Sequence, residues 1–135
     1  MSGEDHWDVL VVEDEPVVRG AVERVLSAQG LRVATAPDAE SALAHPAARA
    51  CRVVVCDLVL PGLSGLDVLR TLGETRPELP VVIMTGYASQ DAMARARDAG
   101  ASSFLPKPFD EEELSSAVRS ALDAANGRGA RKEGP

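Results

Sequence analysis

Residues 53–62 read VVVCDLVLPG, a run of small apolar residues that ends on one aspartate, Asp57, shortly before a Pro-Gly turn. A β-branched run bounded by turn residues is typical of a strand that is buried on both faces of a parallel sheet. In open α/β folds, ligands bind at the carboxyl edge of the sheet, where such a strand ends. Asp57 is therefore the candidate reactive residue of the chain.

Composition narrows the class of protein. A length of 135 residues with 45% hydrophobic residues suits one domain with its own core. The formal net charge of −7 argues against direct binding to nucleic acid, which needs clustered lysines and arginines, although it does not exclude a separate DNA-binding domain. Neither end carries a signal peptide or a membrane-length apolar run, so we expect a cytoplasmic protein without membrane insertion.

The chain alternates strand-like and helix-like segments five times, which predicts an α/β fold with a doubly wound parallel sheet and helices on both faces. Helical spacing, capping residues and proline or glycine stops define five helices, and residues 47–52 are predicted to form a loop. The predicted strands span 8–12, 31–36, 53–57, 80–84 and 102–105, and the predicted helices span 16–29, 38–43, 64–76, 89–99 and 110–126.

The ends of the chain are predicted to differ from its middle. Residues 1–6 are polar and are expected to form a flexible N-terminus, and residues 7–126 form the domain. Asn126 and Gly127 are predicted to end the last helix. Residues 127–135 are then a polar, basic tail or a linker.

Polar side chains follow four of the five predicted strands. Glu13 and Asp14 come after the first strand, Asp57 ends the third, Thr85 follows the fourth and Lys107 follows the fifth. The carboxyl ends of parallel strands lie on one edge of the sheet, so these residues can converge although they are far apart in sequence.

The chemistry of such a cluster follows from its charges. Two carboxylates repel each other by about 4 kcal/mol at roughly 4 Å and an effective dielectric constant of about 20, and a hard divalent cation such as Mg²⁺ relieves this repulsion. An aspartate beside Mg²⁺ can attack phosphorus and form an aspartyl phosphate. Lys107 can neutralise the oxygens of the transferred group, and the Thr85 hydroxyl can donate a hydrogen bond to one of them.

Four motifs occur in an order and spacing that resemble the receiver domain of response regulators in two-component signalling. The resemblance covers about residues 7–125, and the motifs together are far more specific than any one alone. They are VVEDEP at 11–16, DLVLPG at 57–62, TGYA at 85–88 and LPKPF at 105–109.

The resemblance implies a flavodoxin-like fold with the strand order 2-1-3-4-5. It also implies that a sensor histidine kinase or a histidine phosphotransfer protein phosphorylates Asp57. Mg²⁺ would be held by Asp14, Asp57 and the backbone carbonyl of Val59, with Glu13 contributing through water. By the same resemblance, the Lys107–Pro108 peptide bond is expected to be cis, and cis bonds before proline cost little energy.

The family's switch couples the position of Thr85 to an aromatic residue three positions before the lysine, which is Phe104 here. Phenylalanine lacks the hydroxyl of a tyrosine, and plain packing at the edge of the core is an alternative role for it. Phosphorylation is expected to shift a population between two packings of the fourth predicted helix, the fifth strand and the last helix. That face would bind an output domain or a partner protein, and a homodimer is left open.

Two alternatives remain within this interpretation. The first is a pseudo-receiver that binds a protein without transferring phosphate. The second is a small Mg²⁺-dependent phosphohydrolase with an aspartyl nucleophile, which is disfavoured because Val59 stands where its second acidic residue would be. A receiver is not an enzyme in the usual sense, although it catalyses the phosphorylation and dephosphorylation of its own Asp57. The sequence leaves open a stand-alone regulator, part of a DNA-binding regulator or part of a hybrid kinase.

The lifetime of the phosphoryl group yields a first prediction. Val59 and Tyr87 occupy positions that border the path of hydrolytic water in the family, and an apolar residue and a bulky ring there should slow dephosphorylation. Replacing both residues, Val59→Asn with Tyr87→Glu, should shorten the half-life of the phosphorylated protein, measured by following the decay of the adduct. An unchanged or longer half-life would show that these side chains do not control water access.

Overall fold

The computed structural model describes residues 6–86 and 89–133. Five parallel strands form one sheet in the order β2-β1-β3-β4-β5, with helices on both faces, which confirms the predicted fold class and strand order. The strands are β1 (Val9–Val12), β2 (Val33–Ala36), β3 (Val53–Asp57), β4 (Val81–Thr85) and β5 (Ser103–Pro106). The helices are α1 (Pro16–Ala28), α2 (Ala39–Ala44), α3 (Ala47–Ala50), α4 (Gly65–Thr75), α5 (Gln90–Asp98) and α6 (Glu111–Glu133).

The register of the central strands brings their carboxyl ends level with one another. Val12 pairs with Cys56 across β1 and β3, and Asp57 pairs with Met84 across β3 and β4. Thr85 pairs with Pro106 on β5. The residues that end or follow these strands therefore share one edge of the sheet, as predicted.

The sheet separates two apolar clusters because successive side chains of a strand point to opposite faces. Leu10, Val54 and Ile83 pack on the face that is covered by α2, α3, α4 and α5. Val11 and Val55 pack on the other face, against α1 and α6. All residues of β1, β3 and β4 are buried, as expected for strands covered on both sides.

Helix starts follow the predicted capping residues. Ser64 and Asp67 form a reciprocal capping box at the start of α4. At the start of α6, the backbone N–H of Glu113 donates to Asp110 Oδ1 at 2.7 Å, and the Asp110 N–H donates back to Glu113 Oε1 at 3.0 Å. These bonds satisfy backbone donors that a helix leaves unpaired at its first turn.

Residues 47–52 were predicted to form a loop, and this prediction is wrong for the helix α3. Alanine is the strongest helix former, and three of the four residues of α3 are alanines. The Arg76 side chain, at the end of α4, donates to the carbonyl oxygens of Ala48 at 3.2 Å and Cys51 at 2.6 Å. These contacts satisfy carbonyls near the end of α3, and no local sequence pattern predicts a partner 25 positions away. The described residues therefore contain six helices, where five were predicted.

The predicted end of the last helix at Asn126 and Gly127 is also wrong, because α6 continues to Glu133. A glycine inside a helix costs about 1 kcal/mol relative to alanine. Gly129 adds a second such cost, but Arg128, Ala130 and Arg131 are strong helix formers. Residues 1–5 of the predicted flexible N-terminus and residues 134–135 lie outside the described part of the chain.

Within the described ranges, no helix is both long enough and apolar enough to cross a membrane. Cys51 and Cys56 are both buried and free.

Gly65 provides a prediction about the junction between β3 and α4. A Cβ atom on Gly65 would overlap the carbonyl oxygen of Asp57 and lie 2.8 Å from the Cα atom of Leu58, and both are backbone atoms. Gly65→Ala should therefore lower the free energy of unfolding by about 2 kcal/mol, measured by urea denaturation.

Gly73 is the matched control on the same helix. A Cβ atom there would meet nothing within 4 Å. Gly73→Ala should raise the free energy of unfolding by about 0.5–1 kcal/mol, because alanine is the better helix former. Equal effects of the two substitutions would contradict the close approach at Gly65.

Candidate functional site

Three carboxylates meet at the carboxyl edge of the sheet. Oxygens of Glu13, Asp14 and Asp57 lie within 4.8 Å of one another. Glu13 is 0% exposed and Asp57 is 7% exposed, whereas Asp14 is exposed. The burial follows from position, because Glu13 comes directly after β1 and Asp57 ends β3, its neighbour in the sheet. The structure thus brings together the three acids that the sequence predicted to converge.

Lys107 lies between the two buried carboxylates. Its Nζ donates to Glu13 Oε1 and to Asp57 Oδ2, at 2.7 Å in both cases. The loop after β5 places it there, because the Lys107 backbone N–H donates to the Thr85 carbonyl oxygen at 2.8 Å. The Lys107–Pro108 bond is cis, as expected. In this structure Lys107 therefore contacts carboxylates, and its predicted contact with a phosphoryl group stays a prediction.

The second oxygen of Asp57 also has a partner. Its Oδ1 accepts a hydrogen bond from the backbone N–H of Val59 at 3.0 Å. Together with Lys107, this bond fixes the orientation of the carboxylate. The Val59 side chain is 69% exposed beside it. The role of the Val59 carbonyl as a metal ligand stays a prediction.

The predicted switch residues lie on β4 and β5. Thr85 is buried at the end of β4. Phe104 is partly buried against the cluster on the α2–α5 face of the sheet, and the Arg97 guanidinium lies 5.6 Å from the centre of its ring. This arrangement shows packing of Phe104, and its coupling to Thr85 stays a prediction. Tyr87 lies outside the described residues.

Burial and pairing shift the ionisation of this cluster. Burial raises the pKa of Glu13 above 4.5, against the opposing hydrogen bonds from Lys107 and the Glu15 backbone. Burial alone would lower the pKa of Lys107, but the hydrogen bonds to Asp57 and Glu13 and the negative charges of these two acids together outweigh burial and raise that pKa above its ordinary value. Lys107 is therefore a cation at neutral pH. The contribution of the Lys107 ammonium to stability is therefore fully present below the ordinary pKa of a lysine, and it is lost at the alkaline end as the pH rises through the raised pKa.

The donor set fits a hard divalent cation. Carboxylate oxygens are the ligands that Mg²⁺ prefers. Cys56 is the neighbouring residue with a soft donor atom, but its Sγ donates to the Asp57 carbonyl oxygen, and burial raises its thiol pKa far above neutral pH. A neutral buried thiol is a poor metal ligand, since the thiolate is the binding form.

Two residues near the site were missed from the sequence. The Arg19 side chain, on α1, donates to the backbone carbonyl of Glu13, and Gly65 allows the start of α4 to approach the backbone of Asp57. The glycine in the segment after Asp57 was a visible signal for a close approach. Arg19 lies one helical turn after the acidic residues, but spacing alone does not show whether such a side chain turns back to the loop.

Comparison with known proteins gives a consistent result. A family model described as the response regulator receiver domain matches residues 9–119. The DNA-binding transcriptional regulator NtrC of Salmonella typhimurium is 37% identical over 84% of this chain, which corresponds to 24% of NtrC. Response regulator MprA of Mycolicibacterium vanbaalenii is 40% identical over 84% of this chain and 49% of MprA. The chain thus spans between a quarter and half of the length of these relatives.

A solved structure extends the comparison to three dimensions. The receiver domain of NtrX from Brucella abortus superposes with a TM-score of 0.80 at 40% identity, covering 86% of this chain and 98% of the other.

Lys107 provides a prediction about the charge balance. Lys107→Met should lower the free energy of unfolding at pH 7 by about 3 kcal/mol, because it leaves two buried carboxylates without a counter-ion. The pKa of Glu13 is higher in the folded protein than in the unfolded chain, so the free energy of unfolding falls as the pH rises from the unfolded pKa to the folded pKa. The loss should therefore be smaller at pH 5 than at pH 7, measured by urea denaturation at both values. Adding Glu13→Gln should recover part of it, and a loss that is independent of pH would contradict the pairing.

Proposed function

The chain belongs to the response regulator receiver domain family, and on that premise we propose that Asp57 is its phosphoryl acceptor. The observation that carries the proposal is the position of Lys107 Nζ, 2.7 Å from an oxygen of an aspartate that shares its site with two further acids. A cation beside the nucleophile is what an incoming, highly anionic phosphoryl group requires.

The acidic cluster is proposed to hold Mg²⁺. Asp14, Asp57 and the backbone carbonyl of Val59 would be its ligands, and Glu13 would act through a bound water. When bound, the ion neutralises charge on the phosphoryl oxygens.

Asp57 acts as a nucleophile through its carboxylate. One of its oxygens bonds to phosphorus as the bond from phosphorus to the donor's imidazole nitrogen breaks, and the imidazole leaves with that electron pair and is protonated by solvent. Lys107 stays protonated and moves its hydrogen bond from a carboxylate to a phosphoryl oxygen. The Thr85 hydroxyl donates to another phosphoryl oxygen, which is the contact that would pull on β4 and β5.

Partners follow from this chemistry and from the relatives. The donor would be a sensor histidine kinase or a histidine phosphotransfer protein. Because the relatives named as transcriptional regulators are longer than this chain, we propose that the domain controls an output domain or a partner protein. The responding surface would consist of α5, β5 and α6, with Phe104 at its centre. The site of action would be the cytoplasm.

The experiment is intact-protein mass spectrometry after incubation with phosphoramidate and Mg²⁺. We expect one added phosphoryl group on the wild-type chain. The adduct should be absent from Asp57→Asn, which preserves the shape of the side chain but removes the nucleophile, and absent when EDTA is present. A wild-type chain that takes up no phosphoryl group from phosphoramidate or acetyl phosphate would contradict the proposal and favour a pseudo-receiver. Continuous release of phosphate from a phosphomonoester would favour a phosphohydrolase.

A further inference from the structure

The loop between β1 and α1 carries two of the three clustered acids, so its conformation sets the shape of the site. The Glu13 N–H donates to the Ala36 carbonyl oxygen on β2 at 3.1 Å, and the Glu15 N–H donates to Glu13 Oε2 at 3.1 Å. Glu15, the residue that precedes α1, gives the helix no side-chain cap. These bonds hold Glu13, but none of them holds Asp14.

Arg19 completes the attachment of this loop. Its Nη1 donates to the Glu13 carbonyl oxygen at 2.8 Å and to the Asp14 carbonyl oxygen at 3.4 Å. In the described part of the chain, the Asp14 carbonyl has no other hydrogen-bond partner. Arg19 is only partly exposed, on the first turn of α1, so its guanidinium lies against the loop that it bonds.

Arg19 bonds backbone carbonyl oxygens and not carboxylates in the part of the chain that the structure describes. Among the described residues, Arg19 forms no ion pair within 4 Å of a carboxylate, although three acids precede it closely in the chain. Its charge is used on backbone carbonyls, which leaves the carboxylate oxygens of Asp14 available. Asp14 is exposed, so packing does not fix its side chain, and the position of its backbone sets the region that its carboxylate can reach.

We propose that Arg19 is a positioning residue for the cation site, holding the backbone of Glu13 and Asp14 so that the Asp14 carboxylate stays in reach of Asp57. This inference rests on the proposed function, since it assigns a role toward the same ion. Residues that orient metal ligands typically affect metal affinity although they do not touch the metal.

The charge of Arg19 and its positioning role predict opposite changes in Mg²⁺ affinity when Arg19 is replaced. Removing a positive charge near three acids would by itself strengthen the binding of a cation, because it removes a repulsion. Releasing the loop would weaken binding, because the third ligand is no longer held in place. The sign of the change therefore separates the two roles.

The experiment is a titration of the full chain with MgCl₂, followed by amide chemical shifts in NMR spectra. Arg19→Met should raise the dissociation constant for Mg²⁺ about ten- to a hundredfold, the loss typical of removing a residue that orients a metal ligand. Arg19→Lys keeps the charge but not the planar donor group, and should give a smaller increase. Arg24→Met is the control: this residue is exposed on the same helix, and its loss should leave the constant unchanged or slightly lower.

A second readout separates positioning from general damage. The rate of phosphorylation by phosphoramidate should fall in Arg19→Met at low Mg²⁺ and return to the wild-type rate at saturating Mg²⁺. Binding as tight as in the wild type or tighter, or a rate that stays low at saturating Mg²⁺, would overturn the role of Arg19 while leaving the proposed function intact. If Arg19→Met does not fold, Arg19→Lys decides by the same comparison. A wild-type chain whose amides near Asp14 and Asp57 do not respond to Mg²⁺ would overturn both.

Discussion

One ammonium group holds two buried carboxylates together at the edge of the sheet, and the site depends on this interaction. Placing an ion in a protein interior costs several kcal/mol unless it is paired and hydrogen-bonded. Glu13 and Asp57 are buried because they end or directly follow adjacent central strands. Lys107 comes from beyond β5, two strands away from β3, and it reaches across β4 to pair with both. The topology of the sheet, rather than any local segment, creates the site.

The same charge balance suits the site to the proposed binding of Mg²⁺ and phosphorylation of Asp57. Three carboxylates face one ammonium, so a divalent cation completes the formal neutrality of the cluster. Lys107 occupies one oxygen of Asp57 and the Val59 amide occupies the other, and both hydrogen bonds hold the carboxylate in one orientation. Two residues that do not belong to the cluster support this geometry. Gly65 lets the start of α4 approach the backbone of Asp57, and Arg19 holds the loop that carries Glu13 and Asp14.

The sequence predicted structure best where a residue type strongly favours one local structure, such as a buried strand, a helix end or a helix cap. The all-apolar strands, the proline and glycine stops and the paired caps at Ser64 and Asp110 predicted the layers and most of the boundaries, and the motifs added the strand order. The α3 helix was missed because Arg76, which bonds the carbonyls of Ala48 and Cys51, is distant in sequence. The α6 helix continues past Gly127, where several of the following residues are strong helix formers. The hydrogen-bond partners of Lys107 and Arg19 could not be predicted for a related reason. Strand order shows which edge of the sheet a side chain shares, whereas its partner depends on the rotamer and on packing.

The most direct test of the charge balance is the titration of Lys107 Nζ by NMR in the metal-free protein. We expect the Lys107 pKa in the wild type to lie above the ordinary value of a lysine, because two carboxylates stabilise the ammonium more than burial destabilises it. In the variant that carries both Glu13→Gln and Asp57→Asn, both negative charges are gone and burial remains, so the Lys107 pKa should fall below the ordinary value of a lysine. A wild-type Lys107 pKa that is not raised, or one that does not change when both acids are neutralised, would contradict the central role of this ion pair.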